Sequence, residues 1–300
     1  MANDVEQLTF KGVLNGESPL WNPDTGRLVW IDVRGPALHE FDPATGTDRA
    51  WDMPAWIGAC YRTQAGLALT LRTGLFDFDP ASGALAFRSG PPFDACRLTF
   101  NDGRCDRQGR LFAGPMMAPL SPGTDTGEGG PLWRYDGKGK WAPISQPVHT
   151  SNGLAWSPDG RVMYHADTRA KTVWAYDYDP ASGAAANRRV FATADLPGAA
   201  GPDGAAVDCD GFYWVAVFGG ACLLRFDPAG TLERRIDLPI RYPTMPAFGG
   251  AGLDAIYVTS ANHTLSEAER AARPHEGCLF RLPAPVPGLT EAVFDGEIIA

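Results

Sequence analysis

Glu17, Asn101, Asn152 and Asp203 lie far apart in the chain yet share one register, each standing four residues before an apolar residue: Trp21, Cys105, Trp156 and Val207. The same register puts Ile57 before Tyr61 and Thr244 before Phe248. Two carboxylates and two amides, with no imidazole or thiolate, make a hard, oxygen-only donor set. Such a set suits Ca²⁺, Mg²⁺ or Mn²⁺ better than Zn²⁺. The plainer reading is that Asn101-Asp102-Gly103, Asn152-Gly153 and Asp203-Gly204 are turn formers. The matched register, and Glu17, which no turn requires, favour one shared site.

Residues so distant in sequence can meet only if the chain repeats. The phrase Phe41-Asp-Pro-Ala-Thr-Gly46 returns as Phe78-Asp-Pro-Ala-Ser-Gly83, Tyr178-Asp-Pro-Ala-Ser-Gly183 and Phe226-Asp-Pro-Ala-Gly230, with a shorter echo at Tyr135-Asp-Gly137. Pro suits the second turn position, Asp accepts from the turn backbone, and Gly supplies the positive φ that resumes an antiparallel strand. A Gly or Asp followed by an apolar run precedes each turn, at Gly26, Gly66, Gly109, Gly160, Gly211 and Asp254. Six units of roughly 40 to 55 residues predict an all-β, six-bladed β-propeller forming a single domain over residues 1–300. Equivalent positions of successive blades then lie on a circle about one axis, so the six register positions should meet at one mouth of the channel. Circular closure is expected from Val5–Phe10 pairing with the segment around 292–299. Ser266 to Arg273 is expected to be a short surface helix, with Ser266 as N-cap and Glu269 completing a capping box.

Composition narrows the classes of function. The chain has 300 residues, 44% hydrophobic and 20% charged, which places it among soluble globular proteins with a substantial core. A net charge of −9 opposes a phosphate-backbone footprint, so no nucleic-acid partner is expected. The first residues lack the pattern of a secretory leader and no run of roughly 18 apolar residues occurs, so a cytoplasmic protein without a membrane partner is expected. The six cysteines form no C-x-x-C pair and are read as reduced core thiols.

The chain resembles the SMP-30/gluconolactonase/LRE-like family over about residues 14–283. The resemblance rests on Gly16-Glu17-Ser18-Pro19-Leu20-Trp21, on Asn101-Asp102-Gly103 with Asp106 and Gly109-Arg110, and on Ser151-Asn152-Gly153-Leu154-Ala155-Trp156-Ser157-Pro158-Asp159-Gly160. It extends to Asp167-Thr168, Pro202-Asp203-Gly204, Phe248-Gly249-Gly250 and Tyr257-Val258-Thr259-Ser260. The resemblance implies a sugar-acid lactonase that opens aldonolactones of gluconolactone or pentonolactone type, a hydrolase of carboxylic esters. It also implies one divalent ion (Ca²⁺, Mg²⁺, Mn²⁺, Zn²⁺ or Fe²⁺) held by Glu17, Asn152 and Asp203, with Asn101 binding substrate. A divalent ion polarises a lactone carbonyl and acidifies bound water, while a neighbouring carboxylate takes the proton. Asp203 is the expected base, with Glu17 or a water relay as alternatives. A propeller hydrolase of another ester or lactone class, or a non-catalytic Ca²⁺-binding propeller, remain the alternative functions. The expected partner is a small sugar lactone, and the expected state a monomer or weak homo-oligomer.

Other residues near the expected mouth are weaker candidates for substrate binding. Family members commonly carry Arg two residues before the Asn of N-D-G; Thr99 stands there in this chain, and Arg97 lies one alternation further back, on the same side of an extended strand. The Gly that usually follows the first Glu is Ser18. Trp56 is placed to stack on a sugar ring, and His149 to line the pocket. Glu128 belongs to the Gly- and Pro-rich stretch 117–131, read as a loop covering the pocket. His165 is read as a hydrogen-bonded blade histidine.

Overall fold

The computed structural model describes residues 5–118, 129–193 and 200–296. Six four-stranded antiparallel sheets succeed one another along the chain as the blades of a β-propeller. Their innermost strands are Gly16–Asn22, Ile57–Arg62, Leu98–Cys105, Ser151–Trp156, Gly201–Val207 and Pro243–Gly249. In the first, second, fourth and fifth blades the repeated turn phrase joins the third strand to the outermost one. Asp42, Asp79, Asp179 and Asp227 accept side-chain hydrogen bonds from the backbone N–H two residues on. Gly46, Gly83, Gly183 and Gly230 carry φ between 71° and 88°, the left-handed turn for which Gly was expected.

Burial explains why the inner strands do not alternate apolar and polar residues. Six core clusters each span two neighbouring blades, from Leu20, Ile31 and Leu69 between the first and second to Trp30, Tyr257 and Leu279 between the sixth and first. Both faces of an inner strand are therefore covered. Outermost strands such as Thr47–Asp52 and Leu232–Asp237 face water and read as charged and polar.

Each innermost strand contains an irregularity at the same level. One strand advances one residue more than its partner between Glu17 and Leu20, Ile57 and Ala59, Phe100 and Gly103, Asn152 and Ala155, Pro202 and Ala205, and Pro243 and Pro246. Such a β-bulge bends the strand and re-aims a side chain. Ser18 (φ 49°) and Gly153 (φ 60°), which follow Glu17 and Asn152, take left-handed backbone there. Ser18 remains tied in, because its hydroxyl accepts the Cys60 N–H of the next blade at 3.0 Å.

Ring closure differs from the expectation. Glu6–Gln7 pairs with Phe280–Pro283, so the N-terminus supplies the outermost strand of the sixth blade. The segment 287–294 instead crosses the channel end at which the innermost strands finish. Cys209 donates to Pro287 O, Arg107 to Thr290 O, and Phe294 to Arg62 O, while Arg104 pairs with Glu291 at 3.1 Å. Glu291 and Ala292 line the inner end of the channel beside Ser18, Cys60 and Met245. This chain end works as a plug at the end where the innermost strands finish, which leaves the end where they begin as the candidate mouth.

The helix Glu267–Ala272 forms with Ser266 as N-cap and a complete capping box, and buries no residue. All six cysteines are free, but Cys96 and Cys209 are exposed, so four and not six are core thiols. Among the described residues no helix is long and apolar enough to cross a membrane.

Candidate functional site

The bulges bring the register positions to the channel mouth. Asn101 donates from Nδ2 to Asn152 Oδ1 at 2.9 Å and to Ser151 O at 2.8 Å. Asn152 donates from Nδ2 to Thr168 Oγ1 at 2.7 Å, and Thr168 donates to Pro202 O at 2.7 Å, beside Asp203. Blades three, four and five are therefore linked through side chains of the site itself. Asn-Gly and Asp-Gly are strand residues here and not turns. A Cβ on Gly103 would lie 2.0 Å from Tyr61 Oη, one on Gly153 2.4 Å from Tyr213 Oη, and one on Gly204 2.4 Å from Met245 Cβ. Close approach of the neighbouring blade explains these glycines.

Of the two register positions without a carboxylate or amide, Ile57 is buried core. Thr244 is committed to structure, donating to Gly16 O at 2.6 Å and contacting Thr259 Oγ1 at 2.8 Å. The polar wall is thus built by the first, third, fourth and fifth blades. Two devices hold its loops. Asp32 accepts the N–H groups of Leu14, Asn15, Arg34 and Gly35, and Asp167 plays the same part toward His149, Thr150, Arg169 and Ala170. Each fixes the approach to an innermost strand, ahead of Glu17 in one case and Asn152 in the other.

Electrostatics set this wall apart. Burial raises the Glu17 carboxyl well above the usual range, and the charges of Asp203 and Asp102 push it further. Asp203 is raised likewise, by burial first and then by Asp102. Burial also raises Asp102, although it accepts the Leu154 N–H at 3.0 Å. Among the described residues no basic side chain relieves Glu17 or Asp203. Buried carboxylates in repulsion with no cation of the chain beside them fit a site for a divalent ion. The amide orientation agrees: Thr168 takes the Asn152 Nδ2, which turns Oδ1 to the Asn101 side of the wall. Among the described residues no three His, Cys, Asp or Glu side chains converge as a metal cluster. The Asn152 amide oxygen, which accepts from Asn101, is a further hard donor on this wall.

The weaker candidates separate. Arg97 is not in the extended strand that was expected. Its N–H closes a turn onto Asp94 O, the innermost strand begins only at Leu98, and its side chain is exposed. Thr99, in the position where the family carries Arg, is buried with its hydroxyl unpartnered. Trp56 is at the mouth beside Ile57, packed against the first core cluster and with the Arg34 guanidinium carbon 4.9 Å from its ring centre. His149 is exposed, and its Nδ1 lies 3.1 Å from Asp167 Oδ2. Glu128 lies outside the described residues, as does most of the loop 117–131. His165 is buried against Ser151 Oγ at 2.7 Å, its Nδ1 is unpartnered, and burial lowers its pKa to about 4. Two residues of this wall were not singled out from sequence. Asp102 stands inside the same bulge as Asn101, and its place in Asn-Asp-Gly was the available signal. Thr168 was visible only as part of the Asp167-Thr168 motif, since its role depends on a carbonyl of the next blade.

The SMP-30/Gluconolactonase/LRE-like region matches residues 15–262 of this chain. A 6-deoxy-6-sulfogluconolactonase of Pseudomonas putida is 38% identical over 94% of this chain and 95% of its own. A pentonolactonase of Haloferax volcanii is 33% identical over 92% and 93%. The crystal structure of a calcium-binding protein, regucalcin, from Agrobacterium tumefaciens superposes with a TM-score of 0.90 at 26% identity, covering 98% of each chain. A six-bladed architecture, the ordered motifs and similarity over nearly the full length together make this chain a member of the SMP-30/gluconolactonase/LRE-like family.

Proposed function

We propose that the protein is a divalent-metal-dependent lactonase that hydrolyses aldonolactones to open aldonic acids. The observation that carries this reading is the convergence of Glu17, Asn152 and Asp203 at one level of the channel, with Asn101 bonded to Asn152 beside them. Relatives named for a sulfogluconolactone and a pentonolactone support a sugar lactone as substrate. A neighbour named as calcium-binding supports a divalent ion. Glu17, Asn152 and Asp203 would hold that ion, which supplies Lewis acidity toward the lactone carbonyl and a more acidic bound water.

The chain's own groups do the rest. Asn101 spends Nδ2 on Ser151 O and Asn152, so its Oδ1 is the atom left to accept a substrate hydroxyl. Thr168 holds the Asn152 amide in one orientation. Asp203 accepts the proton of the attacking water, an assignment supported by a burial that favours its protonated form. The plug at the far end confines substrate entry to the mouth. Stripping the protein with chelator, restoring single ions, and following acid release from gluconolactone and a pentonolactone tests the reading. Turnover should return with an ion and be lost in Asp203→Ala. Tight ion binding with no turnover above spontaneous hydrolysis would overturn it.

A further inference from the structure

Arg34, Trp56 and His263 form a cluster on the rim that the reaction above does not use. Arg34 follows the second strand of the first blade, Arg27–Asp32, whose Ile31 pairs with Glu17. Trp56 immediately precedes the innermost strand of the second blade, Ile57–Arg62. His263 donates its N–H to Leu14 O at 2.9 Å, three residues before Glu17. The cluster therefore borders the mouth where Glu17 enters it.

Its polar groups lack partners. The Arg34 guanidinium is half-buried over the Trp56 ring and, among the described residues, makes no ion pair or hydrogen bond. Asp32, the acid beside it in sequence, is occupied by four backbone N–H groups. Burial lowers the Arg34 pKa, with Asp32 opposing only in part. His263 stacks on Phe218 at 6.0 Å, and its Nδ1 is buried without a partner. Burial first, then the charge of Arg34, lowers its pKa to about 4, so the ring is neutral near pH 7. A half-buried guanidinium without a bonded anion, beside an uncharged imidazole whose Nδ1 has no partner, leaves donors that an anionic ligand can take up.

We infer that Arg34, braced on Trp56 and flanked by His263, is a subsite for an oxyanion carried by the substrate away from its lactone carbonyl. A carboxylate, sulfonate or phosphate offers the paired oxygens that a guanidinium fork binds. Neutral His263 contributes a hydrogen bond at Nδ1. The protein thus prefers anionic sugar lactones to uncharged ones, despite its net charge of −9. The inference rests on the lactonase reading only for the remainder of the ligand.

The test compares kcat/KM of the metal-restored protein for glucono-1,5-lactone, its 6-phospho and 6-deoxy-6-sulfo forms, and a glucaric acid lactone. The charged forms should be favoured by about ten- to a hundredfold, the effect of one charge-assisted pair. The three anions separate phosphate, sulfonate and carboxylate as the source. Arg34→Gln should lower the charged-to-uncharged ratio at least tenfold, mainly through KM, and Arg34→Lys should keep part of it. The preference should also weaken with added salt in the parent and not in Arg34→Gln. Equal kcat/KM for charged and uncharged lactones, or an unchanged ratio in a folded Arg34→Gln, overturns the inference. Calorimetry with 6-phosphogluconate and gluconate needs no turnover. Arg34-dependent binding of the former without hydrolysis of any lactone would sink the lactonase reading and leave the anion subsite standing. Equal binding of the two would remove the subsite.

Discussion

Thr168→Val separates the geometry of the proposed site from its mere composition. Valine keeps the shape of threonine but can neither accept from Asn152 Nδ2 nor donate to Pro202 O, two contacts of 2.7 Å each. Each group left buried without a partner costs about 1–3 kcal/mol. Thr168 is half-buried, so water repairs part of the loss and a net destabilisation of about 1–3 kcal/mol is expected. The larger effect falls on function, because only the bond from Asn101 Nδ2 then holds the Asn152 amide in its orientation. Loss of a group that orients a metal ligand costs about 10- to 100-fold in affinity or activity. The assay is calorimetric titration of chelator-stripped protein with Ca²⁺ and Mn²⁺, followed by lactone turnover, with Thr168→Ser as the control that keeps the hydroxyl. Thr168→Ser should stay within about twofold of the parent. A folded Thr168→Val with parental ion affinity and turnover would refute the orienting role, and the same result for Asn152→Ala would refute the ligand set.

Neutralising Asp203 should stabilise the metal-free protein while abolishing turnover. Both Glu17 and Asp203 are raised by burial, so the native state binds their protons more tightly than the unfolded chain. Their contribution to stability is complete below the ordinary carboxylate range and is lost as pH rises through the elevated native values. In chelator, Asp203→Asn should therefore match the parent at acid pH and exceed it by about 0.5–2 kcal/mol at pH 8, read as urea midpoints. A gap that closes as pH rises would contradict the raised pair. Gly153→Ala should cost about 2–4 kcal/mol, since the backbone is left-handed and the new methyl meets Tyr213 Oη and Ala166 Cβ; thermal unfolding with under 1 kcal/mol lost would show that the blades can part there. Glu291→Ala should cost about 2–3 kcal/mol by leaving Arg104 unpaired at the plugged end, and should expose segment 287–294 to amide exchange. Unchanged protection of Phe294 N–H would show that the ion pair does not hold the plug.

How far the sequence could be read followed the physical range of each signal. The turn phrase is local: Asp42 or Asp179 bonds to backbone two residues away, and four copies place the third and fourth strands without tertiary knowledge. The shared register of Glu17, Asn101, Asn152 and Asp203 was equally visible, because one bulge recurs at the same height in every inner strand. Closure was not visible. The pairing strand Glu6–Gln7 is two residues long, too short for any periodicity, and segment 287–294 is held by single carbonyl contacts and one ion pair rather than a ladder. Arg97 was misplaced for a related reason. Asp94 captures the N–H groups of Cys96, Arg97 and Leu98, and this local competition ends the turn one residue later than strand alternation implies.

A bulge at every inner strand also explains how six similar blades carry one asymmetric site. The bulge re-aims whatever residue sits at that level, and the fold asks only that the blade remain packed. Ile57 meets that demand with apolar burial, and Thr244 with bonds to Gly16 O and Thr259. The four remaining blades are then free to present two acids and two amides. Their cost is mutual repulsion of buried carboxylates, which the proposed cation would relieve. Under the proposed function, stability and activity oppose each other at Glu17 and Asp203 and agree at Thr168, so the first two should be the positions where substitution makes the protein both more stable and inactive.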